Sequence, residues 1–169
     1  MARLGTKLVL VASLALMATA CAKKKPADLP PPPGEPTGQT DTGTGNVAVP
    51  GSQADFLAKV SSDRVFFDLD QYDVDAEDRA TLESQSAWLK QYPNVRVTIE
   101  GHADERGTRE YNLALGERRA NAAKNYLASL GIAEGRISTI SYGKERPDAL
   151  GSDETSWARN RRAVTVTVQ

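Results

Sequence analysis

The chain has 169 residues, with 21 Lys and Arg against 22 Asp and Glu, so its formal net charge is −1. Five of the 21 basic and three of the 22 acidic residues precede residue 52, which leaves 16 basic and 19 acidic groups beyond that point. A mildly acidic unit has no electrostatic basis for binding nucleic acid, whose phosphates require a positive surface. The single cysteine excludes an intrachain disulfide.

The first 20 residues predict a secretory signal peptide. Arg3 and Lys7 give a positive start, residues 8–17 are largely apolar, and small residues precede Cys21. This apolar segment is too short to cross a bilayer as a helix, which needs about 20 apolar residues. We therefore expect residues 1–20 to be removed from the mature protein.

Cys21 follows these small residues directly, and its position resembles a bacterial lipobox, in which the cysteine is lipidated and becomes the mature N-terminus. The alternative is a plain secreted protein with a free thiol. Ala22, not Asp, follows the cysteine, which favours the outer over the inner membrane. One acyl chain anchors a protein only marginally, whereas the three chains typical of bacterial lipoproteins would make release negligible. The sequence therefore predicts a lipid anchor at Cys21 on the periplasmic face of the outer membrane.

The segment between the cysteine and the folded domain, residues 21–51, predicts a flexible tether. It has almost no large apolar side chains, so it cannot bury enough surface to offset its ordering entropy. About 30 residues could span roughly 100 Å when fully extended. The basic run Lys23–Lys25 either contacts anionic lipid headgroups or is simply solvated. The prolines of this tether are Pro26, Pro30–Pro33, Pro36 and Pro50.

The length and hydrophobic pattern of residues 52–169 predict a single domain. Its secondary-structure elements are predicted in the order strand, helix, strand, helix, strand, strand. Alternating apolar and polar residues indicate strands in which one sheet face is covered and the other is partly wet. The sequence therefore predicts an α/β two-layer sandwich, with a mixed sheet and helices on one face. The strand predictions rest on Val65, Phe67 and Leu69; on Val95, Val97 and Ile99; on Ile137–Tyr142; and on Ala163–Val168, with Val164, Val166 and Val168 on the buried face.

Two segments have the periodicity of amphipathic helices. The first is Ala76–Gln91, which Pro93 terminates. The second is Tyr111–Leu130, with Gly131 as a natural C-cap. Its core-facing residues are mostly small, so we expect this helix to lie close to the sheet. The apolar stripes are Leu82, Ser86 and Leu89 in the first helix, and Leu113, Gly116, Ala120, Ala123, Leu127 and Leu130 in the second.

The segment Gly101–Ala120 carries the best candidate site. Asp104 lies in the polar turn predicted over residues 102–107, and Arg119 lies fifteen positions later on the second helix. A carboxylate pairs with an ammonium, and a guanidinium takes a carboxylate through two parallel hydrogen bonds. Together they could bind a small zwitterion, although a salt bridge that merely fixes the turn to the helix is the open alternative. Asp70, predicted at the end of the first strand, adds a second carboxylate, and Leu115 shares a helix flank with Arg119.

No catalytic or metal-binding pattern accompanies this site. His102 is the sole histidine, and the run His102-x-Asp104-Glu105 lacks a second histidine or a thiolate. We therefore expect His102 to stabilise the turn and expect no metal or other cofactor. Glycan hydrolysis needs one carboxyl group with a raised pKa, whereas Arg106 and Arg109 flank the two acids and favour their ionised forms. The prediction is a binding protein and not an enzyme.

Four segments carry a resemblance to a known family. They are VFFDLDQYD from residue 65, EGHADERGTREYNLALGERRA from residue 100, ISYGKERP from residue 140 and WARNRRAVTV from residue 157. On these segments, residues 64–169 resemble an OmpA-like peptidoglycan-binding domain. The central segment is specific in both residue type and spacing.

The resemblance implies that the zwitterion is the meso-diaminopimelate of peptidoglycan stem peptides. The family's ligand-binding aspartate falls on Asp104, its helix arginine on Arg119, and the acidic residue after its first strand on Asp70. Backbone donors near Leu115 are also used in the family. The side chain of diaminopimelate ends in an amine and a carboxylate on one carbon, which matches the charges of this pair.

The arrangement of lipobox, proline-rich tether and this domain resembles that of the family's lipoproteins and not that of barrel-bearing members. It implies a protein of the Tol system that exchanges between the wall and the periplasmic protein TolB during envelope constriction at cell division. Either the wall or TolB could be the main partner. A single exposed charge pair should bind modestly, and anchoring beside a polymeric ligand would compensate by raising the effective concentration.

Overall fold

The computed structural model describes residues 48–168. The predicted signal peptide, the predicted lipidation site Cys21 and the predicted tether up to residue 47 lie outside the described residues. Within the described part, no helix combines the length and apolarity needed to cross a membrane. In chain order its elements are α1 (Gln53–Lys59), β1 (Arg64–Phe66), α2 (Ala76–Gln91), β2 (Arg96–His102), α3 (Arg109–Ser129), a 3-10 turn (Glu134–Arg136), β3 (Ile137–Gly143), α4 (Glu154–Asn160) and β4 (Arg162–Val168).

The four strands form one mixed sheet in the order β1–β4–β2–β3. β4 lies antiparallel to both β1 and β2, and β2 lies parallel to β3. The parallel pair needs a crossover, which α3 provides as it packs on β2 and β3. This confirms the predicted α/β fold with a mixed sheet.

Both predicted helices are present, and side-chain caps explain where they begin. α2 has the predicted bounds, and its N-cap Asp75 accepts a hydrogen bond from the Asp78 amide at 2.8 Å. α3 starts two residues earlier than predicted, because the Thr108 hydroxyl caps it by accepting from the Tyr111 amide at 3.2 Å. Each cap satisfies an amide that has no partner within the helix.

The core lies between the sheet and the stripes of α2 and α3. The small residues of α3 bring it very close to the sheet, as predicted. A Cβ on Gly101 of β2 would lie 1.8 Å from the Gly116 carbonyl oxygen of α3, a distance no real Cβ shows. The fully buried members of the two stripes include Leu82, Leu89, Ala120 and Leu127, each 0% exposed.

The prediction that the valines of the last strand are buried holds for Val164 but is wrong for Val166 and Val168. Thr165 and Thr167 point toward the helices, whereas Val166 and Val168 lie on the opposite face, where Val168 is 48% exposed. For Thr165 the reason is a buried polar contact, since its hydroxyl donates to the side chain of Gln85 on α2 at 2.8 Å. A hydroxyl that finds such a partner can occupy a core position that hydrophobicity alone assigns to valine.

The first strand is shorter than predicted, and two short helices were missed. β1 ends at Phe66, and Leu69 is 52% exposed instead of continuing the buried alternation. α1 and α4 have seven residues each, too few for a periodicity to be recognised. α1 is nevertheless part of the core, because its fully buried Phe56 packs edge-to-face on Trp88 with ring centroids 5.0 Å apart.

The close approach of α3 to β2 predicts that Gly101→Ala destabilises the protein. The added methyl would meet the backbone of Gly116 and not a flexible side chain, so the helix must move. We expect a loss of about 1–3 kcal/mol in the free energy of unfolding, measured by urea denaturation. Gly135→Ala is the matched control, because a methyl added there would have no heavy atom within 4 Å. Equal effects for the two substitutions would contradict this packing.

Asp78 predicts a specific dependence of stability on pH. Burial, reinforced by the nearby Asp75 carboxylate and opposed by a hydrogen bond from the Phe66 amide, raises the pKa of Asp78 to about 6. An unfolded aspartate has a pKa near 3.9, so this group stabilises the fold below about pH 4, and that contribution is lost as the pH rises through 6.

We expect Asp78→Asn to flatten the decline in unfolding free energy between pH 4 and pH 6 and to raise stability at pH 7 by on the order of 1 kcal/mol. The asparagine oxygen can still accept from the Phe66 amide. Urea denaturation across this pH range is the measurement. Asp73→Asn, at an exposed position, is the control. The same pH profile in the parent and both variants would contradict the assignment.

Candidate functional site

The candidate site is built on the turn that joins β2 to α3. The turn begins where the Ala103 amide donates to the Gly143 carbonyl at 2.8 Å, and Gly107 has a φ of +84°, which favours glycine. The Asn112 side chain donates to the Arg106 carbonyl at 2.7 Å and fixes the turn to α3. As a result, Asp104 is held in place and only 5% exposed.

His102 does not stabilise this turn with its ring, contrary to the expectation from the sequence. It is the last residue of β2, and its buried ring lies near Tyr142 on β3, with centroids 5.6 Å apart. Burial, and next the positive charge of Arg162, lower the pKa of His102 to about 4. Its role at the site is through its carbonyl, which accepts a hydrogen bond from Arg119.

Arg119 is fully buried and binds three backbone carbonyls. Its guanidinium donates to Gln71 at 2.9 Å, to His102 at 2.9 Å and to Asp68 at 3.1 Å. It also lies over the ring of Phe67, 5.2 Å from the centroid. One side chain of α3 therefore holds together the end of β2 and the loop that follows β1.

Asp70 lies in the loop that Arg119 holds. The Gln71 amide donates to the Asp68 carbonyl at 3.1 Å, so Asp70 is within a tight turn, and its φ of +58° is a left-handed conformation that aspartate tolerates better than most residues. The Tyr111 hydroxyl lies 3.3 Å from its carboxylate. Asp70 follows β1 by four residues, so the prediction that it lies at the strand end is wrong.

A pocket of about 290 Å³ brings the four residues from the sequence prediction together. Asp70 comes from the first loop, Asp104 from the second, and Leu115 and Arg119 from α3. The pocket thus lies where two loops meet one helix flank. Its other lining residues are Leu69, Ala103, Arg106, Gly107, Tyr111, Asn112 and Arg161.

Asp104 is paired with two arginines, neither of which is Arg119. Both carboxylate oxygens accept from the Arg106 side chain, and the Arg106 amide adds a third bond at 3.1 Å. Arg161 lies on the other side, with its Nη1 atom 3.5 Å from Asp104 Oδ2. Among the described residues no ion pair joins Asp104 to Arg119, so the alternative of a simple salt bridge between them is wrong.

The electrostatics keep these groups charged at neutral pH. Burial opposes ionisation of Asp104, but the hydrogen bonds from the Arg106 side chain and amide outweigh it and hold the pKa below its usual value. Burial, and next the neighbouring Arg161, lower the pKa of Arg119 to about 10, against the opposing effects of Asp104 and Asp70. The pocket lining contains three guanidinium groups and two carboxylates, so it carries a net positive charge.

This arrangement can bind a ligand with groups of both signs, and Asp104 is not suited to act as an acid catalyst in it. A carboxyl group with a lowered pKa cannot serve as a general acid near pH 7. Within the described residues no three His, Cys, Asp or Glu side chains form a group that could hold a metal ion.

Arg161, a buried charged residue of the pocket, was not among the site residues predicted from the sequence. It follows α4 and is 42 positions from Arg119 in the chain, so no local spacing connects the two. Its guanidinium donates to the Phe67 carbonyl at 2.9 Å and to Glu154 at 2.8 Å, and it is 5% exposed. In the sequence, Arg161 is only an arginine directly before an apolar strand, and this pattern is too common to indicate a binding site.

Comparison with known proteins shows the family to which the chain belongs. The model of the OmpA family matches residues 66–161, more than half of the chain. The peptidoglycan-associated lipoprotein of Agrobacterium fabrum (strain C58) is 51% identical over 158 residues, which cover 94% of this chain and 85% of that protein. The chain belongs to the OmpA family and, within it, to the peptidoglycan-associated lipoproteins.

Two further members of the family support this assignment. The peptidoglycan-associated lipoprotein of Rhizobium meliloti (strain 1021) is 51% identical over 165 residues, covering 98% of this chain and 88% of its own length. The crystal structure of the peptidoglycan-associated lipoprotein from Burkholderia pseudomallei superposes with a TM-score of 0.62 at 46% identity, covering 67% of this chain and 93% of that one.

The three carbonyl contacts predict a structural role for Arg119. Arg119→Ala leaves buried acceptors without a donor and opens a cavity, so we expect the free energy of unfolding to fall by about 2–4 kcal/mol. The adjacent Arg118→Ala is a matched control, because Arg118 is exposed and its nearest aromatic ring, that of Tyr72, is 6.0 Å away. Urea denaturation measures both, and losses of equal size would contradict this role.

Proposed function

We propose that this protein binds the diaminopimelate of peptidoglycan without catalysis and, anchored in the outer membrane through a lipidated Cys21, attaches that membrane to the cell wall. The observation that supports binding most directly is the pocket in which Asp104 lies beside Arg119 and Arg161. Related proteins of about 50% identity are named peptidoglycan-associated lipoproteins.

Charge suggests the roles of three of the four residues predicted from the sequence, Asp70, Asp104 and Arg119. Asp104 binds the ligand's terminal ammonium, with Asp70 as a second carboxylate on the same side. Arg119 uses three of its five N–H groups on carbonyls, which leaves two for the ligand's carboxylate. Leu115, which is 4% exposed and lines the pocket, provides apolar contact and nearby backbone groups.

The affinity of one such site should be modest, since the ligand loses freedom on binding and water competes for its charges. The tether over residues 21–51 and the dense array of stem peptides compensate by raising the effective concentration. A contact that exchanges readily suits the Tol–Pal system, in which we propose that the domain alternates between the wall and TolB during cell division.

Hydrolysis of the wall is the competing function, and the site argues against it. An acid catalyst needs a carboxyl group that is protonated near neutral pH. Hydrogen bonds from Arg106 outweigh the effect of burial and keep the pKa of Asp104 below its usual value. The exposed neighbour Glu105 also has a lowered pKa, through hydrogen bonds from Ser152 and Trp157.

We expect Asp104→Asn to reduce retention on peptidoglycan by about 10- to 100-fold, because the ligand's ammonium loses its charged partner. Co-sedimentation of the purified protein with isolated peptidoglycan measures this. Glu134→Gln, in the 3-10 turn that follows the far end of α3, removes one carboxylate and serves as the control.

Four further measurements complete this test. Free meso-diaminopimelate should release the parent protein from peptidoglycan, a result that does not depend on how the variant folds. Circular dichroism checks that Asp104→Asn remains folded. Retention of that folded variant at the parental level would contradict the proposed site, and release of soluble muropeptides would contradict binding without catalysis. Binding to TolB that ignores wall fragments would favour TolB as the main partner.

A further inference from the structure

Arg106 occupies the place at Asp104 that the ligand's ammonium would take. Its Nε donates to Oδ1 at 3.1 Å and its Nη2 bonds Oδ2, so the two oxygens meet one guanidinium fork. Asp104 is itself only 5% exposed. A ligand ammonium can therefore bind the oxygens of this carboxylate only when a neighbouring guanidinium moves away from them.

The three cations of the pocket differ in how firmly they are held. Arg119 binds three carbonyls, and Arg161 binds the Phe67 carbonyl and Glu154. The Arg106 side chain has Asp104 as its hydrogen-bond acceptor and is 35% exposed. It is the cation that can move without leaving a buried carbonyl unsatisfied.

The surroundings of Arg106 allow its side chain to move while its backbone stays fixed. Asn112 holds the Arg106 carbonyl at 2.7 Å. The guanidinium lies over the ring of Trp157 at 4.1 Å, and that ring is held by Glu105, which accepts from its Nε1 at 3.0 Å. A planar guanidinium can slide across an aromatic face and keep a favourable contact.

The charges then determine what kind of ligand can displace it. A simple amine that takes Asp104 leaves Arg106 without a partner in a pocket that is already net positive. A ligand with a carboxylate on the same carbon as the amine offers Arg106 a new partner as it leaves the old one. The displaced guanidinium and that carboxylate can form a bidentate pair.

We propose that Arg106 determines specificity by exchanging Asp104 for the carboxylate of the ligand, which favours the amino-acid end of diaminopimelate over a simple amine. This inference rests on the function proposed above. It assigns to Arg106 a contact with the ligand, beyond its contact with Asp104.

Two probes of matched geometry test this exchange. Meso-diaminopimelate carries amine and carboxylate at both ends, and 1,5-diaminopentane carries the same two amines at the same separation with no carboxylate. Dissociation constants for both are measured by NMR titration of the purified protein, its Arg106→Gln variant and an Arg109→Gln control. Arg109→Gln removes the same charge from the start of α3, where Arg109 pairs with Glu145 and not with Asp104.

Arg106→Gln should raise the affinity for the diamine, because Asp104 loses its internal partner. It should also remove a contact with the carboxylate of diaminopimelate. The ratio of the two affinities should therefore fall about tenfold, the effect of one charge-assisted interaction. Arg109→Gln should keep the parental ratio.

An unchanged ratio in Arg106→Gln, or the same change in Arg109→Gln, overturns the inference while leaving the proposed function intact. Failure of the parent protein to bind diaminopimelate contradicts the proposed function itself. If Arg106→Gln does not fold, Arg106→Lys decides, because it keeps the charge but cannot form two parallel hydrogen bonds. A smaller fall in the ratio then supports the exchange, and the parental ratio overturns it.

Discussion

The site depends on one buried guanidinium. Arg119 lies inside α3 and donates to the carbonyls of Asp68, Gln71 and His102. Those carbonyls belong to two segments that no backbone pairing joins at this point, the loop after β1 and the end of β2. A charged group is buried without a large cost only when its donors are satisfied, and here the loop carbonyls provide that compensation. Arg119 is thus both part of the scaffold and a wall of the pocket.

The close contact of α3 with the sheet makes this geometry possible. Gly101 and Gly116 let the helix backbone approach β2 so closely that no side chain fits between them. Arg119 is one turn further along the same helix, which brings its guanidinium beneath the turn that carries Asp104. The two glycines therefore set the distance between α3 and β2, and with it the position of Arg119 relative to the turn that carries Asp104.

The pocket also illustrates how a nearly buried carboxylate can stay ionised. Asp104 is surrounded by Arg106 and Arg161, which stabilise its ionised form against the cost of burial. A carboxyl group that acts as a general acid near neutral pH needs the opposite environment, one that raises its pKa. A site that keeps Asp104 ionised beside arginines can pair with groups of both signs.

The sequence by itself predicted the two long helices and the mixed α/β fold. It also predicted four residues that line the pocket, Asp70, Asp104, Leu115 and Arg119. These predictions were possible because periodicity, caps and a specific motif are local features of the chain. It wrongly predicted that Val166 and Val168 are buried, since the bond between Thr165 and Gln85 joins residues 80 positions apart. Only the tertiary structure brought Arg161 to Asp104 and directed the guanidinium of Arg119 to distant backbone carbonyls. Such partners depend on how distant segments pack, and no spacing along the chain records that.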